Sequence, residues 1–295
     1  MRHLGRGLFL LILLLSALVV FLDRLQVRRG EASIFALLWP GRGGSRPALP
    51  AAAPPPPASR VTSAPAPVPS PSPAPAGPRL AIIIDDLGGR SDVFEAVKAL
   101  DRPLTVAVLP ELPLSARIAG EAPRAGLEVL LHLPLEPYHY PEMDPGPGAL
   151  LMAMSAREVA ALARKHLAAF PVTGVSNHMG SRLTEDRERM RAVLEPVKEQ
   201  GLFFVDSLTS NQSVAWKVSQ ELGIPTLRRQ VFLDPQADEA TVRQQLQAAG
   251  AMAERRGSAI AIGHGHPLTL HLLREMIPRW EARGIRLVRV SDLLR

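Results

Sequence analysis

Six apolar runs in the last two-thirds of this 295-residue chain end in residues that can bind a metal ion or move a proton. Residues 80–84 lead into Asp85-Asp86, 128–131 into His132, and 174–176 into Asn177-His178. Residues 202–205 lead into Asp206, 231–233 into Asp234, and 258–262 into Gly263-His264-Gly265-His266. If these runs are parallel strands, their C-terminal ends share one face of a sheet or barrel, and residues distant in sequence converge there. Carboxylates and imidazoles collected in that way describe metal-assisted hydrolysis. Core packing does not predict polar residues at one strand end after another.

Each motif has a specific chemistry and a plainer alternative. Two adjacent carboxylates leaving a buried strand repel one another unless a cation or a proton intervenes. One of Asp85 and Asp86 can ligate a metal while the other acts as base; the alternative is a pair of capping or loop carboxylates. Gly88-Gly89 behind them lacks the spacing of a phosphate-binding loop. His132 opens the segment His-Leu-Pro-Leu-Glu-Pro, whose prolines stiffen the strand exit and fix His132 and Glu136. His178 can ligate through a neutral ring nitrogen. Arg182 either meets an anionic or carbonyl oxygen or pairs with Glu185 or Asp186. His264 and His266, set among glycines and a proline, have little packing value; both could bind metal, or one could protonate a leaving group. Asp206 is placed to orient a histidine and Asp234 to cap a turn. His139, His166 and His271 read as ordinary surface residues.

The elements that must position these groups alternate in type. Strand patterns at 80–84, 105–109, 128–131, 174–176, 202–205, 227–233, 258–262 and 285–290 are separated by helical patterns. The helices are expected at 92–100, 115–125, 155–169, 185–200, 213–222, 238–255 and 268–283, with Ser155 and Glu158 forming a capping box. Such alternation predicts a parallel sheet, and seven or eight units predict closure into a barrel. The Pro- and Gly-rich loop 133–153, which carries Tyr138 and Tyr140, is too long for a plain connector and is expected to overhang the site.

The charge distribution argues against nucleic acid as a partner. The chain has a net charge of +6 and a pI near 10.4. The excess sits entirely in residues 1–78, which carry eight arginines against Asp23 and Glu31. Residues 79–295 balance 26 basic with 26 acidic residues, and aromatic content is only 4%, so no basic-aromatic patch forms. Arg2 and Arg6 precede an apolar run at 8–22, which no small-x-small cleavage site follows. Residues 1–30 are therefore expected to act as an uncleaved signal anchor in the inner membrane, with a cleaved signal peptide as the alternative. Residues 31–78 form a Pro/Ala-rich spacer, and 79–295 form the folded domain, on the periplasmic or extracytoplasmic side. The absence of cysteine fits export.

Five segments, in order, resemble the divergent polysaccharide deacetylases, a branch of the NodB-homology carbohydrate deacetylases. They are Ala-Ile-Ile-Ile-Asp-Asp-Leu-Gly at 81–88, Leu-His-Leu-Pro-Leu-Glu-Pro at 131–137, Asn-His-Met-Gly-Ser at 177–181, Phe-Val-Asp-Ser at 204–207 and Gly-His-Gly-His-Pro at 263–267. The resemblance implies an α/β fold, a distorted (β/α)7–8 barrel of the NodB type, and a divalent metal, most often zinc. It also implies Asp85 as base, Asp86 and His132 as metal ligands, and His264 as acid. The parent motif carries a second histidine four residues after the first. Here that position is Glu136, and His178 at the next strand end is the candidate replacement. Glu136, Arg182, Asp206 and His266 are expected to support the site.

The first functional reading is a membrane-tethered, envelope-facing metal hydrolase that removes N- or O-acetyl groups from a polysaccharide. A second is a non-catalytic envelope module that binds an acetylated glycan or a protein through an inherited cleft. A third is a metal hydrolase of another bond, suggested by the His-x-His at 264–266.

Overall fold

The computed structural model describes residues 77–294. The apolar run expected to anchor the chain and nearly all of the Pro/Ala-rich spacer lie outside these residues. No helix among the described residues is long and apolar enough to cross a membrane.

The chain order is β1 (Arg79–Leu87), α1 (Ser91–Lys98), β2 (Thr105–Val108), α2 (Ser115–Glu121), β3 (Glu128–Leu135) and α3 (Ala156–Leu167). It continues through β4 (Gly174–Met179), α4 (Arg187–Glu199), β5 (Phe203–Asp206), α5 (Ala215–Leu222), β6 (Thr226–Arg228) and β7 (Val231–Phe232). The last elements are α6 (Glu239–Arg256), β8 (Ser258–His264), α7 (Pro267–Ala282) and β9 (Arg286–Val288). Every ladder is parallel, in the order β6-β5-β4-β3-β2-β1-β8-β7, and β9 pairs with the first residues of β1. The sheet curls into a distorted barrel whose ends, β6 and β7, are consecutive in sequence. The single strand expected at 227–233 is thus two strands, broken at Arg229-Gln230, and the barrel is open there.

Side-chain alternation divides the sheet into two faces. Ala81, Ile83, Ala107, Leu130, Phe203, Val205, Ile260 and Ile262 fill the barrel interior with Val290. Leu80, Ile82, Ile84, Val106, Val108, Leu131 and Phe204 face the helices. Full burial of each large aliphatic side chain contributes about 1.5–3 kcal/mol. A one-residue slip would turn every one of them around, so the register is firmly set. It also decides which strand-end residues point into the barrel mouth.

Two further expectations change. β3 runs on to Leu135, through Pro134, because β2 ends at Val108 and nothing on that side requires the missing N–H; β4 pairs with Leu130–Leu135 on the other. The long loop then returns beside it: Leu150 N–H donates to Pro134 O at 2.9 Å, and Glu136 N–H to Leu150 O at 2.9 Å. His166 is not a surface residue. It lies on the buried face of α3 with Val159 and Ala163, and its Nε2 sits 2.8 Å from Gly148 O, tying the loop to the helix.

Two glycines give opposite expectations for one substitution. A Cβ at Gly250 in α6 would lie 2.4 Å from Nε1 of the fully buried Trp280, whereas one at Gly120 in α2 meets nothing within 4 Å. Overpacking costs about 1–3 kcal/mol, more than the roughly 0.8–1.0 kcal/mol that alanine recovers in a helix. Gly250→Ala should lower the urea midpoint and Gly120→Ala should raise it. A rise for both would mean that α6 and α7 are not so closely packed.

Candidate metal and acid–base site

The interior alternation carries straight into the mouth. Ala81 and Ile83 are followed by Asp85, Leu130 by His132, and Ile260 and Ile262 by His264. Asp85 and His264 are direct register partners on β1 and β8. His132 is aligned with Ser176, and His178 lies two residues further along the same face of β4.

Parity would send Asp86 outward with Ile82 and Ile84. It does not go there, because the β1–β2 register shifts between Ile84 and Leu87, and Asp86 adopts a left-handed backbone with φ 64°. This irregularity turns Asp86 back toward the mouth, so two adjacent carboxylates face one site. Aspartate tolerates that conformation better than most residues, although it still costs about 1–3 kcal/mol.

Asp86 Oδ1 lies 2.9 Å from His178 Nδ1 and 3.3 Å from His132 Nε2. One ligand atom from each of the three residues lies within 4.8 Å of the others. Ligand atoms about 2.0–2.2 Å from a tetrahedral zinc ion would stand roughly 3.3–3.5 Å apart. Ser176 Oγ, 2.8 Å from His132 Nδ1, fixes that ring and leaves Nε2 facing Asp86 and Asp85. Asp85 Oδ1 is buried without a hydrogen-bond partner. The donor set therefore fits a divalent cation, with one carboxylate oxygen still unassigned.

Burial dominates Asp85 and raises its pKa above the ordinary value; the charge of His132 opposes this and that of Asp86 adds to it. Burial also acts on Asp86, but hydrogen bonds from His132 and His178, together with their charges, hold it well below the ordinary value. The neighbours demand positive charge, which protons or a metal ion can supply.

His264 stands on the other side of Asp86, with Nε2 3.6 Å from Asp86 Oδ2. Its Nδ1 is 2.9 Å from Asp234 Oδ1, and its backbone N–H donates to Asp234 Oδ2 at 2.8 Å. Thr269 Oγ1 donates to the same Oδ2, also at 2.8 Å. Burial opposes a charge on His264, but the Asp234 hydrogen bond and the charges of Asp86, Asp234 and Asp85 outweigh it. The pKa is raised to about 9.

The structure exchanges the two aspartate expectations. Asp206 follows Phe204 on the helix-facing side and does not orient a histidine. It accepts from Leu208 N–H at 2.9 Å and Ser213 Oγ at 3.2 Å, and sits 3.6 Å from Arg228. Asp234, read as a turn cap, is the residue that holds His264. Arg182 pairs with neither Glu185 nor Asp186. It donates to buried Glu136 at 2.8 Å, and Glu136 also accepts Met152 N–H at 2.7 Å. Glu136 thus ties down the long loop without joining the metal-ligand cluster, and Arg182 braces it. His266 is exposed at the start of α7, its ring centroid 5.5 Å from that of His264; with Asp234 and His264 it makes a second group close enough to hold an ion. In that group the Asp234 oxygens already accept from His264 and Thr269, so the first group is the better fit.

The resulting cleft, about 510 Å³, is lined by Asp85, Asp86, His132, His178 and His264, with Pro137 and Met143 from the long loop. Arg229 lines it too. Motif reading missed this residue; its position in the break of a β-branched and leucine-rich run was the available signal.

The profile of the divergent polysaccharide deacetylases matches residues 82–294. The chain is similar to the uncharacterized protein YibQ of Escherichia coli K12, with 37% identity over 217 residues, covering 73% of this chain and 67% of that protein. An uncharacterized protein of Haemophilus influenzae is 36% identical over 222 residues, 75% of this chain and 78% of its own length. Among solved structures, an uncharacterized protein from Agrobacterium tumefaciens C58 superposes with a TM-score of 0.70 at 28% identity, covering 74% of this chain and 89% of that one. The chain belongs to the divergent polysaccharide deacetylase family.

Proposed function

We propose that this protein is a metal-dependent deacetylase acting on N- or O-acetylated polysaccharide of the cell envelope, held at the inner membrane by its amino-terminal apolar run. The observation that carries the reading is the convergence of Asp86, His132 and His178, with Asp85 and His264 beside them. Family membership supports the polysaccharide as substrate. The sequence of residues 8–22 supports the membrane tether.

Asp86, His132 Nε2 and His178 Nδ1 would hold a divalent ion, zinc by the character of its donors. When bound, such an ion would supply Lewis acidity for the acetyl carbonyl and lower the pKa of a water. Asp85 accepts the water's proton, and its raised pKa makes it a stronger base than an exposed aspartate. Water oxygen bonds to the acyl carbon, the C–N or C–O bond breaks, and acetate departs. His264 delivers the proton to the leaving nitrogen or oxygen from Nε2, because its Nδ1–H is committed to Asp234. The hydrogen bond to Asp234 also raises the pKa of this imidazole, which favours the protonated form that an acid requires.

Asp85→Asn and His264→Ala should each lower turnover of an acetylated oligosaccharide by about 10²–10⁴-fold while retaining stoichiometric zinc. Ser176→Ala should instead weaken zinc binding by about 10–100-fold. Wild-type protein without zinc affinity, or without acetate release from any acetylated glycan tested, would leave the envelope binding module as the better reading.

The pH dependence follows from His264. Its folded pKa, about 9, exceeds the unfolded value of about 6.5, so its ion pairing stabilises the fold fully below pH 6.5 and is lost as pH rises through 9. In chelator-treated Asp234→Asn protein, NMR titration of His264 should fall back toward 6.5, and the stability deficit against wild type should shrink between those two pH values. An unchanged titration would remove Asp234 from its assigned role.

A further inference from the structure

One guanidinium in the cleft forms no ion pair among the described residues. Arg229 occupies the two-residue break between β6 and β7, at the open seam of the barrel. Its backbone N–H donates to Asp206 O at 3.0 Å. Its side chain is held by two carbonyls, Nε donating to Ser207 O at 2.6 Å and Nη2 to Leu208 O at 2.8 Å, and its guanidinium lies 4.9 Å from the Phe232 ring centroid. The turn presenting these carbonyls is itself constrained, with Leu208 at φ 50° and its N–H bonded to Asp206 Oδ1.

The neighbouring arginines are neutralised. Arg182 pairs with Glu136, and Arg228 faces Asp206. Arg229 is subject to the charges of Asp85 and Asp206 but forms no ion pair among the described residues, and Nη1 finds no acceptor there. The Ser207 hydroxyl, also lining the cleft, is buried without a partner. A partly buried charge held in one geometry without a counterion is costly unless a ligand completes it. Two carbonyls hold one edge of the Arg229 guanidinium, which leaves Nη1 and a buried, unpartnered hydroxyl at the same wall of the cleft.

Resting on the deacetylase reading above, we infer that Arg229 is a specificity residue that binds a carboxylate on the substrate, so that the preferred substrate is an acidic, carboxylate-bearing acetylated saccharide. A guanidinium edge matches carboxylate geometry, and the stacked Phe232 and bonded carbonyls keep it preorganised. A single guanidinium suits the one negative charge of a carboxylate better than a phosphate monoester, which carries nearly two negative charges at neutral pH.

Calorimetric binding to zinc-loaded and to chelator-treated protein tests this, with N-acetylmuramic acid and N-acetylglucosaminuronic acid each compared with its own carboxamide. Wild-type protein should bind at least one acid about tenfold or more tightly than its amide. Arg229→Met should abolish that preference with amide binding unchanged, and Arg229→Lys should keep part of it. No preference in either pair, or equal weakening of acid and amide by Arg229→Met in a variant with wild-type urea midpoint, would overturn the inference. Binding is read without turnover. Preference without deacetylation therefore contradicts only the hydrolase reading, and deacetylation without preference contradicts only the role given to Arg229.

Discussion

The site depends on the irregularity at the end of β1. A regular strand sends successive side chains to opposite faces, so Asp85 and Asp86 could not both reach the barrel mouth. The register shift after Ile84 and the left-handed backbone at Asp86 bring them together. Electrostatics then imposes its own requirement. Two carboxylates this close, one of them buried, need positive charge beside them, and three imidazoles surround the pair. The backbone cost falls at the candidate site, where functional strain usually collects.

Two of these imidazoles are held by a neighbour outside the cluster. Ser176 sets His132, and Asp234, itself bound by Thr269, sets His264. Glu136 anchors the long loop through Met152 and Arg182. Glu136 is a structural tie and not a member of the cluster, whereas His178, one strand over from His132, stands beside Asp86.

Much of this was legible in the residues. The apolar runs ending in Asp85, His132, His178 and His264 mark strands, and parallel topology brings their ends together. Alternation also marked Asp206 as facing the helices, since it follows Phe204 by two residues, and a parity count would have withdrawn it from the site. Asp234 was harder to assign, because it lies beyond the last strand residue of β7, where alternation no longer applies. The break at Arg229-Gln230 had one sign in the sequence, three consecutive polar residues at 228–230 inside a strand-like pattern. The pairing of β6 with β5 and of β7 with β8 makes it explicit. His166 belonged to the buried stripe of α3, and its spacing from Val159 and Ala163 was the overlooked sign.

Anomalous diffraction at the zinc edge, from crystals of the folded domain soaked in zinc, addresses the central assignment most directly. The expected map has one peak, coordinated by Asp86, His132 and His178, with His264 Nδ1 still bonded to Asp234. A peak shared by Asp234, His264 and His266, or no peak at either cluster, would contradict it.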